Sequence, residues 1–455
     1  MSHSFFQPPE TGDYSLRNVT APRCLVQGGP PSDSDLVALD IAIERGRIRT
    51  VAPGGALPPG SGPDLDASMV LPGMVDLHTH LDKGHIWPRQ PNPTGDVPGA
   101  SKATMADRTA RWHAQDVERR MEFALRAAYA NGVVAIRTHL DSLAPQASIS
   151  FPVFRAMRDR WAGRVEMQAS SIAPIDIFFT DEGRQLADTV AQSGGQLGFV
   201  TRSAAYPAEP MPPNLDEGLS RAFDLAAERG LDLDLHVDES NDVRARSLLR
   251  VARMAITKGF KGRILCGHCT ALALQTDEFI AETLQACRDA GIAIVSLPTV
   301  NLYLQDRRPT AGSTPRWRGV TTLHEMKAHG LPVAVAGDNC RDPFHAYGDH
   351  DMLDTYTQAV KILHLDHPFG DWIASATSVP ARIMGLDCGT IGVGAAADLL
   401  VLRARDYSEL LSRHQFDRTV LRAGRAIDTT LPDYRELDDL EGMPRRRVPA
   451  ATAPR

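Results

Sequence analysis

Two histidines, His78 and His80, close a short apolar run of the sequence, MVLPGMVDLHTH (69–80). Alternate residues of a β-strand point to the same face, so both imidazoles could reach one metal ion. The same pair would also suit two polar residues that simply end a strand. A chemical role for the pair therefore depends on what the rest of the chain brings to it.

A third histidine, His236, ends the alternating segment LDLDLH (231–236). The leucines of this segment share one face of a strand, and its aspartates share the other face with His236. If the leucines pack against helices, His236 faces the interior of the fold. Glu239 follows three residues later, where a carboxylate can lean over a site at the strand end.

Two further polar groups end apolar runs in the same way. His268 is in phase with Ile264 and Cys266 in GRILCGHCT, and Asp338 follows LPVAVAG. A set of three histidines and one aspartate, drawn from the groups at these strand ends, suits a divalent zinc or iron ion. Such an ion lowers the pKa of a bound water from about 15.7 towards about 7, which supplies hydroxide without a strong base. The sequence thus predicts a hydrolytic metal site.

A repeated unit must position these groups: a short apolar run followed by a longer stretch of helical pattern. Helical candidates such as NLDEGLSRAFDLAAERG and DEFIAETLQACRDAG end at glycine, as helix C-caps commonly do. Eight such units predict an α/β fold, a (β/α)8 TIM-type barrel with its active site at the carboxyl ends of the strands. The runs span residues 69–80, 132–141, 164–172, 195–203, 231–240, 262–270, 292–300 and 331–339.

Both ends of the chain have a different texture, with short apolar patches separated by Gly/Pro clusters. Strands joined by turns fit this pattern. We therefore expect residues 1–65 and 389–440 to pair into one small β-sandwich domain, which flanks a barrel of residues 66–388. The Pro- and Arg-rich tail, residues 441–455, has little to bury and is expected to be disordered.

The bulk composition narrows the classes of partner. A formal charge of −7 over 455 residues gives no basic field, so nucleic acid and membrane binding are disfavoured. Six cysteines in so long a chain do not form a disulfide framework, and no signal-like leader or long apolar run is present. We expect a cytoplasmic protein that acts on a small molecule, with a homo-oligomer possible.

The ordered combination LPGMVDLHTHLDK, RTHLD, HVDE, GHCTAL, LPTVNLYLQDRR and GDNCRDPFHAYGDHDML resembles the cytosine deaminase branch of the amidohydrolase superfamily. The resemblance implies that His78, His80, His236 and Asp338 hold the metal. Binuclear members of the superfamily use a lysine carbamate, whereas RVEMQASSI (164–172) contains no lysine. One divalent ion per subunit, zinc or iron, is therefore expected.

The resemblance also implies the roles of the catalytic side chains. Hydroxide attacks the ring carbon that bears the amino group, while His268 and Asp338 orient the water and take up its proton. Glu239 delivers a proton to the adjacent ring nitrogen and helps the amine leave as ammonia.

Residues that would grip the substrate depart from the family pattern. Asn339 stands where the family has a second aspartate, and an amide offers a donor without a charge. Phe344 replaces a tryptophan and can still stack on a ring. The family's glutamine after the fourth strand has no clear counterpart, although Gln168 lies nearby in the sequence. Gln305 and Lys83 are further pocket candidates.

The expected reaction is hydrolytic deamination of a cytosine-like N-heterocycle. Isocytosine, a pterin or an amino- or alkylamino-substituted s-triazine stay open as alternative rings. A cyclic amide hydrolase is a second possibility, but it would normally need two metals and the missing lysine. A structural relative without catalysis is a third, although such a chain would be expected to have lost ligands.

Overall fold

The structure is a computed structural model that describes residues 5–9, 13–307 and 313–441. The tail predicted to be disordered is residues 441–455; Glu441 is the last residue of a short helix, and residues 442–455 lie outside the described part. In the part described, no helix is both long enough and apolar enough to cross a membrane.

The described residues contain fifteen strands, and from Met74 onwards most of them are separated by helices. The strands are β1 (Tyr14–Pro22), β2 (Leu36–Glu44), β3 (Arg47–Pro53), β4 (Met69–Pro72), β5 (Met74–Thr79), β6 (Val133–Asp141), β7 (Glu166–Ile172), β8 (Leu197–Val200), β9 (Leu233–Val237), β10 (Ile264–His268), β11 (Ile292–Ser296), β12 (Val333–Val335), β13 (Leu399–Leu402), β14 (Thr419–Arg422) and β15 (Arg425–Ala426).

Most α-helices lie between successive barrel strands, as the repeated unit predicted. The helices are α1 (Val97–Arg111), α2 (Ala114–Ala130), α3 (Ala147–Trp161), α4 (Asp181–Gln192), α5 (Leu215–Arg229), α6 (Ser247–Lys258), α7 (Asp277–Asp289), α8 (Pro298–Leu304), α9 (Leu323–Ala328), α10 (Met352–Leu363), α11 (Ser378–Met384), α12 (Tyr407–Ser412) and α13 (Asp438–Glu441). Helices α5 and α6 end at Gly230 and Gly259, both in the left-handed conformation of a C-cap.

The strands β5 to β12 form the parallel barrel. Strands β8 to β12 make one ladder and β5 to β7 another. Parallel bridges join Ser170 to Gln196 and Pro174 to Val200 between the two ladders, and a third bridge joins Thr79 to Asp338. The ladders therefore close into a ring, and the predicted (β/α)8 fold is confirmed.

Alternation along the strands separates two apolar layers. Leu233, Leu235 and Ile264 belong to the large core between the barrel and its helices, as the leucine pattern predicted. Ala334 and Ala336 belong to a smaller core with Leu265 and other interior residues. The small alanines thus lie in the crowded interior.

The terminal segments form one domain, as expected. Its strands make a single seven-stranded sheet in the order β15-β14-β13-β4-β1-β2-β3, with apolar side chains such as Leu16, Ile41 and Leu399 in a core of their own. Isolated bridges from Val26 to Ile391 and from Arg47 to Ala396 add further contacts between the N-terminal and C-terminal segments. The apolar run 69–80 divides between the two domains, because β4 joins this sheet and β5 begins the barrel.

Gly73 is the joint between these two strands. A Cβ atom at this position would lie 2.0 Å from Cγ1 of Val134. The main chain of the joint therefore passes directly over a barrel side chain, and only glycine allows this approach.

Replacing Gly73 by alanine should lower the free energy of unfolding by about 1 to 3 kcal/mol, because the new methyl group overpacks the joint. Chemical denaturation of the purified variant measures this change. Gly60→Ala is the matched control, since a Cβ at Gly60 meets nothing within 4 Å. Adding Val134→Ala to Gly73→Ala should recover part of the loss, and additive losses would contradict the steric explanation.

Candidate active site

The candidate site lies at the carboxyl ends of the barrel strands, where the first strand, β5, meets the segment after the last strand, β12. The N–H of Asp338 donates to the carbonyl oxygen of His78 at 2.8 Å, and the Thr79 hydroxyl donates to the Asp338 carbonyl at 2.8 Å. The register of β5 against β6 shifts between Asp76 and Thr79, around His78. Such irregularities re-aim side chains beside active sites.

Four predicted ligands converge here, and we call them the donor set: His78, His80, His236 and Asp338. The Nε2 atoms of His80 and His78 lie 3.2 and 3.6 Å from Oδ1 of Asp338. The ring centroid of His236 is 4.6 Å from that of His78 and 5.5 Å from that of His80. All four side chains are buried.

The donor set has polar atoms that the protein does not satisfy. Among the described residues, neither ring nitrogen of His78 or His236 and neither carboxylate oxygen of Asp338 has a hydrogen-bond partner. Unpaired buried groups of this kind are costly, whereas a divalent cation would pair with one nitrogen of each ring and with the carboxylate. The residues present therefore fit a metal ion.

Electrostatics point the same way. Burial, followed by the charges of neighbouring histidines or of Lys83, lowers the pKa of each histidine of the donor set well below its ordinary value. The imidazoles are thus neutral, which is the form that binds metals. Burial, and next the charge of Glu239, raises the pKa of Asp338 well above the ordinary carboxyl value. A bound cation would favour the charged carboxylate and so lower the pKa of Asp338.

His139 is a neighbour of the donor set. Its ring centroid is 4.0 Å from that of His78, and its Nε2 lies 3.7 Å from Oδ1 of Asp234. Asp234 also accepts a hydrogen bond from Arg137 at 3.0 Å. His78, His139 and Asp234 could form a second ligand group, but Arg137 already pairs with that carboxylate.

Glu239 and His268 stand beside the donor set and share one partner, Asn301. The Nδ2 atom of Asn301 lies 2.9 Å from Nδ1 of His268 and 3.5 Å from Oε1 of Glu239. A carboxylate only accepts, so this amide nitrogen donates to both groups. Nδ1 of His268 is then an acceptor, and the ring hydrogen sits on Nε2. His268 can therefore donate a hydrogen bond into the site.

The backbone of His268 explains how it reaches the site. Ile264 and Cys266 pack in the outer core, and residues in phase with them would also point outward. His268, however, has φ = +68°, a left-handed conformation that breaks the strand alternation. The phase argument was thus insufficient, and the strand-end turn places the ring.

The loop after β12 presents Asn339 and Phe344. Asp342 organises both, because its carboxylate accepts from Nδ2 of Asn339 at 2.7 Å and from the Phe344 N–H at 2.7 Å. Nζ of Lys83 lies 4.8 Å from the centre of the Phe344 ring. Burial raises the pKa of Asp342 to about 6.

The donor set, its catalytic neighbours and the loop after β12 surround a pocket of about 440 Å³. His80, His236, His268, Glu239 and Asp338 line its floor. Its walls combine apolar side chains with a few charged ones: Val97, Met105, Ile172, Val200, Phe344, Lys83, Arg202 and Asn339. A concave, mostly apolar pocket with a few convergent polar groups suits a flat organic ring.

Two predicted substrate residues do not line this pocket. Gln168 lies near the start of β7, where it accepts from Arg137 and donates to the Met384 carbonyl at 2.8 Å. That position is at the amino end of the strands, away from the site. Gln305 follows α8 and packs beside Gly319. Neither residue is kept as a substrate contact.

Asn301, Asp342 and Arg202 are site residues that the sequence analysis missed. Asn301 stands in the segment LPTVNLYLQDRR, one helical turn before Gln305. The resemblance pointed to the right segment, but Gln305 and not Asn301 was predicted as its pocket residue. Asp342 stands in the DN-x-RD pattern after β12. Arg202 follows the short strand β8 without any motif that could have identified it.

A larger cavity of about 650 Å³ lies on the other side of the β12 loop. Asp338 and Asn339 reach it, but Glu239, His236 and His268 do not line it. The smaller pocket therefore holds the complete set of reactive groups.

Comparisons with known proteins identify the family of this chain. The profile of the amidohydrolase family matches residues 117–426. A pterin deaminase of Rhizobium rhizogenes (strain K84) is 48% identical over 97% of this chain and 100% of its own length. N-isopropylammelide isopropyl amidohydrolase of Pseudomonas sp. (strain ADP) is 25% identical over 75% of this chain and 81% of its own.

Solved structures share the fold. 5-Methylcytosine deaminase from Klebsiella pneumoniae superposes with a TM-score of 0.77 at 22% identity, over 92% of this chain and 98% of that chain. N-isopropylammelide isopropylaminohydrolase from Burkholderia multivorans superposes with a TM-score of 0.71 at 24% identity, over 92% and 100%. With a family match over residues 117–426 and a relative this similar over its full length, the chain belongs to the amidohydrolase family and is a hydrolase of C–N bonds.

Proposed function

We propose that this chain deaminates a pterin-type ring, a fused 2-amino-4-oxo bicycle, with release of ammonia. The observation that carries an aminohydrolase reaction is the placement of Glu239 and His268 beside Asp338 on the floor of one pocket. The choice of a pterin is supported by the 48% identity to a pterin deaminase over nearly the whole chain. A pocket of about 440 Å³ also leaves room for a second fused ring.

The donor set supports one divalent ion, zinc or iron, in the active site. When bound, such an ion supplies Lewis-acid activation of water near neutral pH. The residues that bind it come from β5, β9 and the turn after β12, so barrel closure brings them together.

Asp338 is suited to take the proton of the attacking water, because its oxygens have no other partner among the described residues. His268 orients the water by donating from Nε2, because Asn301 occupies its Nδ1. This assignment divides the two roles that the sequence analysis gave jointly to His268 and Asp338.

Glu239 completes the reaction by moving a proton to the substrate. It protonates the ring nitrogen next to the amino-bearing carbon while water adds to that carbon. The C–N bond then breaks and the amine leaves as ammonia, so water and the amino compound become ammonia and the oxo compound. The amide of Asn301 holds Glu239 and His268 in a fixed relation during these steps.

Phe344 is suited to hold the ring by stacking. It packs partly against Ala100, Val300 and Leu304, which restrict its motion, and its ring lines the pocket. Asn339 would present its carbonyl oxygen to the substrate, since Asp342 accepts a hydrogen bond from its amide nitrogen. An acceptor at this position suits the N–H and amino groups of a 2-amino-4-oxo ring.

Steady-state kinetics on a panel of rings test the proposed substrate. The purified protein is assayed for release of ammonia from pterin, cytosine, 5-methylcytosine and isocytosine, and for release of isopropylamine from an N-isopropyl-substituted aminotriazine. We expect kcat/KM for pterin to exceed that for cytosine by on the order of 100-fold, because the second fused ring adds contacts in the pocket that cytosine cannot make. Faster turnover of cytosine or of the triazine would replace the pterin in this proposal.

Glu239→Gln should lower kcat by roughly 100- to 10,000-fold, since the amide keeps the shape but cannot transfer the proton. Metal content measured by atomic emission should stay unchanged, because Glu239 is not in the donor set. Glu217→Gln is the control, as Glu217 only forms a surface pair with Arg221. Unchanged turnover in Glu239→Gln would remove Glu239 from the mechanism.

Phe344→Leu should raise KM for pterin by about 3- to 10-fold, because aromatic stacking contributes about 0.5 to 1.5 kcal/mol beyond the apolar contact. The change in kcat should be smaller, since Phe344 does not touch the reacting atoms. Initial-rate kinetics measure both constants. A fall in kcat with unchanged KM would mean that the ring is held elsewhere.

A further inference from the structure

A second group of ligand-type side chains lies outside the donor set. We call it the His–Cys cluster, and it consists of His85, Cys340 and His350. Their ligand atoms all lie within 4.8 Å of one another. His85 comes from the loop after β5, and the other two come from the loop after β12. All three are buried, with exposed fractions of 0%, 5% and 8%.

The cluster leaves buried nitrogen atoms without partners. Within the part of the chain that the structure describes, neither ring nitrogen of His85 and not Nε2 of His350 has a hydrogen-bond partner. Most buried polar side-chain atoms in proteins are hydrogen-bonded, and those that are not require an explanation. The donor set shows the same combination of full burial and unpartnered imidazoles.

Its dimensions also match those of the donor set. The ring centroids of His85 and His350 are 5.5 Å apart, which is the separation of His78 and His80. A tetrahedral ion with bonds of about 2.0 to 2.3 Å needs ligand atoms roughly 3.3 to 3.8 Å apart. Small side-chain rotations bring atoms at this spacing onto one ion. His85 and His350 both have left-handed backbones, with φ = +63° and +53°.

The surroundings allow a charged ion. Cys340 and His350 line the 650 Å³ cavity beside the β12 loop, so a fourth ligand such as water has a route to the cluster. Asp349 lines the same cavity and adds negative charge. Two cationic side chains act on His85: Arg120 pairs with Asp116 at 2.7 Å, and Arg341 lies over the Tyr434 ring at 4.1 Å.

We propose that the His–Cys cluster binds a second divalent transition metal of the zinc type, separate from the active-site ion. Two imidazoles and a thiolate favour zinc or cobalt over magnesium or calcium, which prefer oxygen ligands. The ion ties the loop after β5 to the loop after β12. Because these loops also contain His80 and Asp338, the second metal stabilises the frame of the active site without taking part in the reaction.

Cobalt(II) substitution distinguishes the two sites, because only the His–Cys cluster has a thiolate. A thiolate bound to cobalt(II) gives a charge-transfer absorption band in the near ultraviolet, and histidine or aspartate ligands do not. The metal-free full chain is titrated with cobalt(II) while this band and the metal content are recorded. We expect two cobalt ions per chain and a band that saturates with one of them.

Matched variants locate the band. Cys340→Ser should abolish it and reduce the cobalt content from two ions to one. His350→Gln should do the same, which keeps the test decisive if Cys340→Ser folds poorly. Cys388→Ser and His345→Gln are controls that should keep both the band and two ions, since neither residue is in the cluster. A wild-type chain without the band, or a band that survives both cluster variants, overturns the proposal.

Thermal unfolding gives a readout independent of turnover. Zinc should raise Tm of the wild type in two steps as the two sites fill, and the step of the second site should be missing in Cys340→Ser. Failure of the proposed pterin activity would leave these metal-binding results unaffected.

Discussion

The fold and the site depend on one contact, the pair of hydrogen bonds that join Asp338 to His78 and Thr79. These bonds close the barrel, because β5 is its first strand and β12 its last. The same bonds hold the Asp338 carboxylate beside the Nε2 atoms of two histidines. The donor set is therefore a consequence of barrel closure and needs no separate arrangement to assemble it.

The turns that leave the strands at this end are strained. Asp238, His268 and Asp338 all have φ between +49° and +68°, a conformation that costs non-glycine residues about 1 to 3 kcal/mol. The surrounding structure holds them there. The Asp238 carboxylate accepts from the N–H groups of Ser247 and Leu248 at 2.9 Å each, at the start of α6. Regular strand alternation would direct some of these side chains away from the pocket, and the strained backbone turns them into it.

Much of this could be predicted from the sequence. Eight apolar runs located all eight barrel strands, because buried parallel strands are apolar and regularly spaced between helices. The strand-end positions of His78, His236 and Asp338 followed from the same pattern. The division of the run 69–80 at Gly73 was not predictable, because pattern alone does not show which sheet a strand joins.

The residues around the substrate were harder to predict for a definite reason. Gln168 was chosen by its nearness in sequence to a strand end, but it lies at the amino end of β7, and a shift of a few residues moves a side chain to the other end of the barrel. Asn301 acts from α8, which lies far from Glu239 and His268 in the sequence, so its contacts with them depend on tertiary geometry. Strand periodicity therefore brings side chains of different strand ends together, but it does not identify the residues that contact the substrate.

The loop after β12 contains buried carboxyl groups whose negative charge the protein balances only in part. Asp338, Asp342 and Asp349 are all buried enough that their pKa values are raised, the last two to about 6. A carboxyl whose pKa rises on folding binds its proton more tightly in the folded than in the unfolded state. The free energy of unfolding therefore falls as the pH rises towards that pKa. Lys83 offsets part of this cost at Asp338 and Asp342. A cation bound in the loop offsets more, and its binding free energy then becomes part of the free energy of folding.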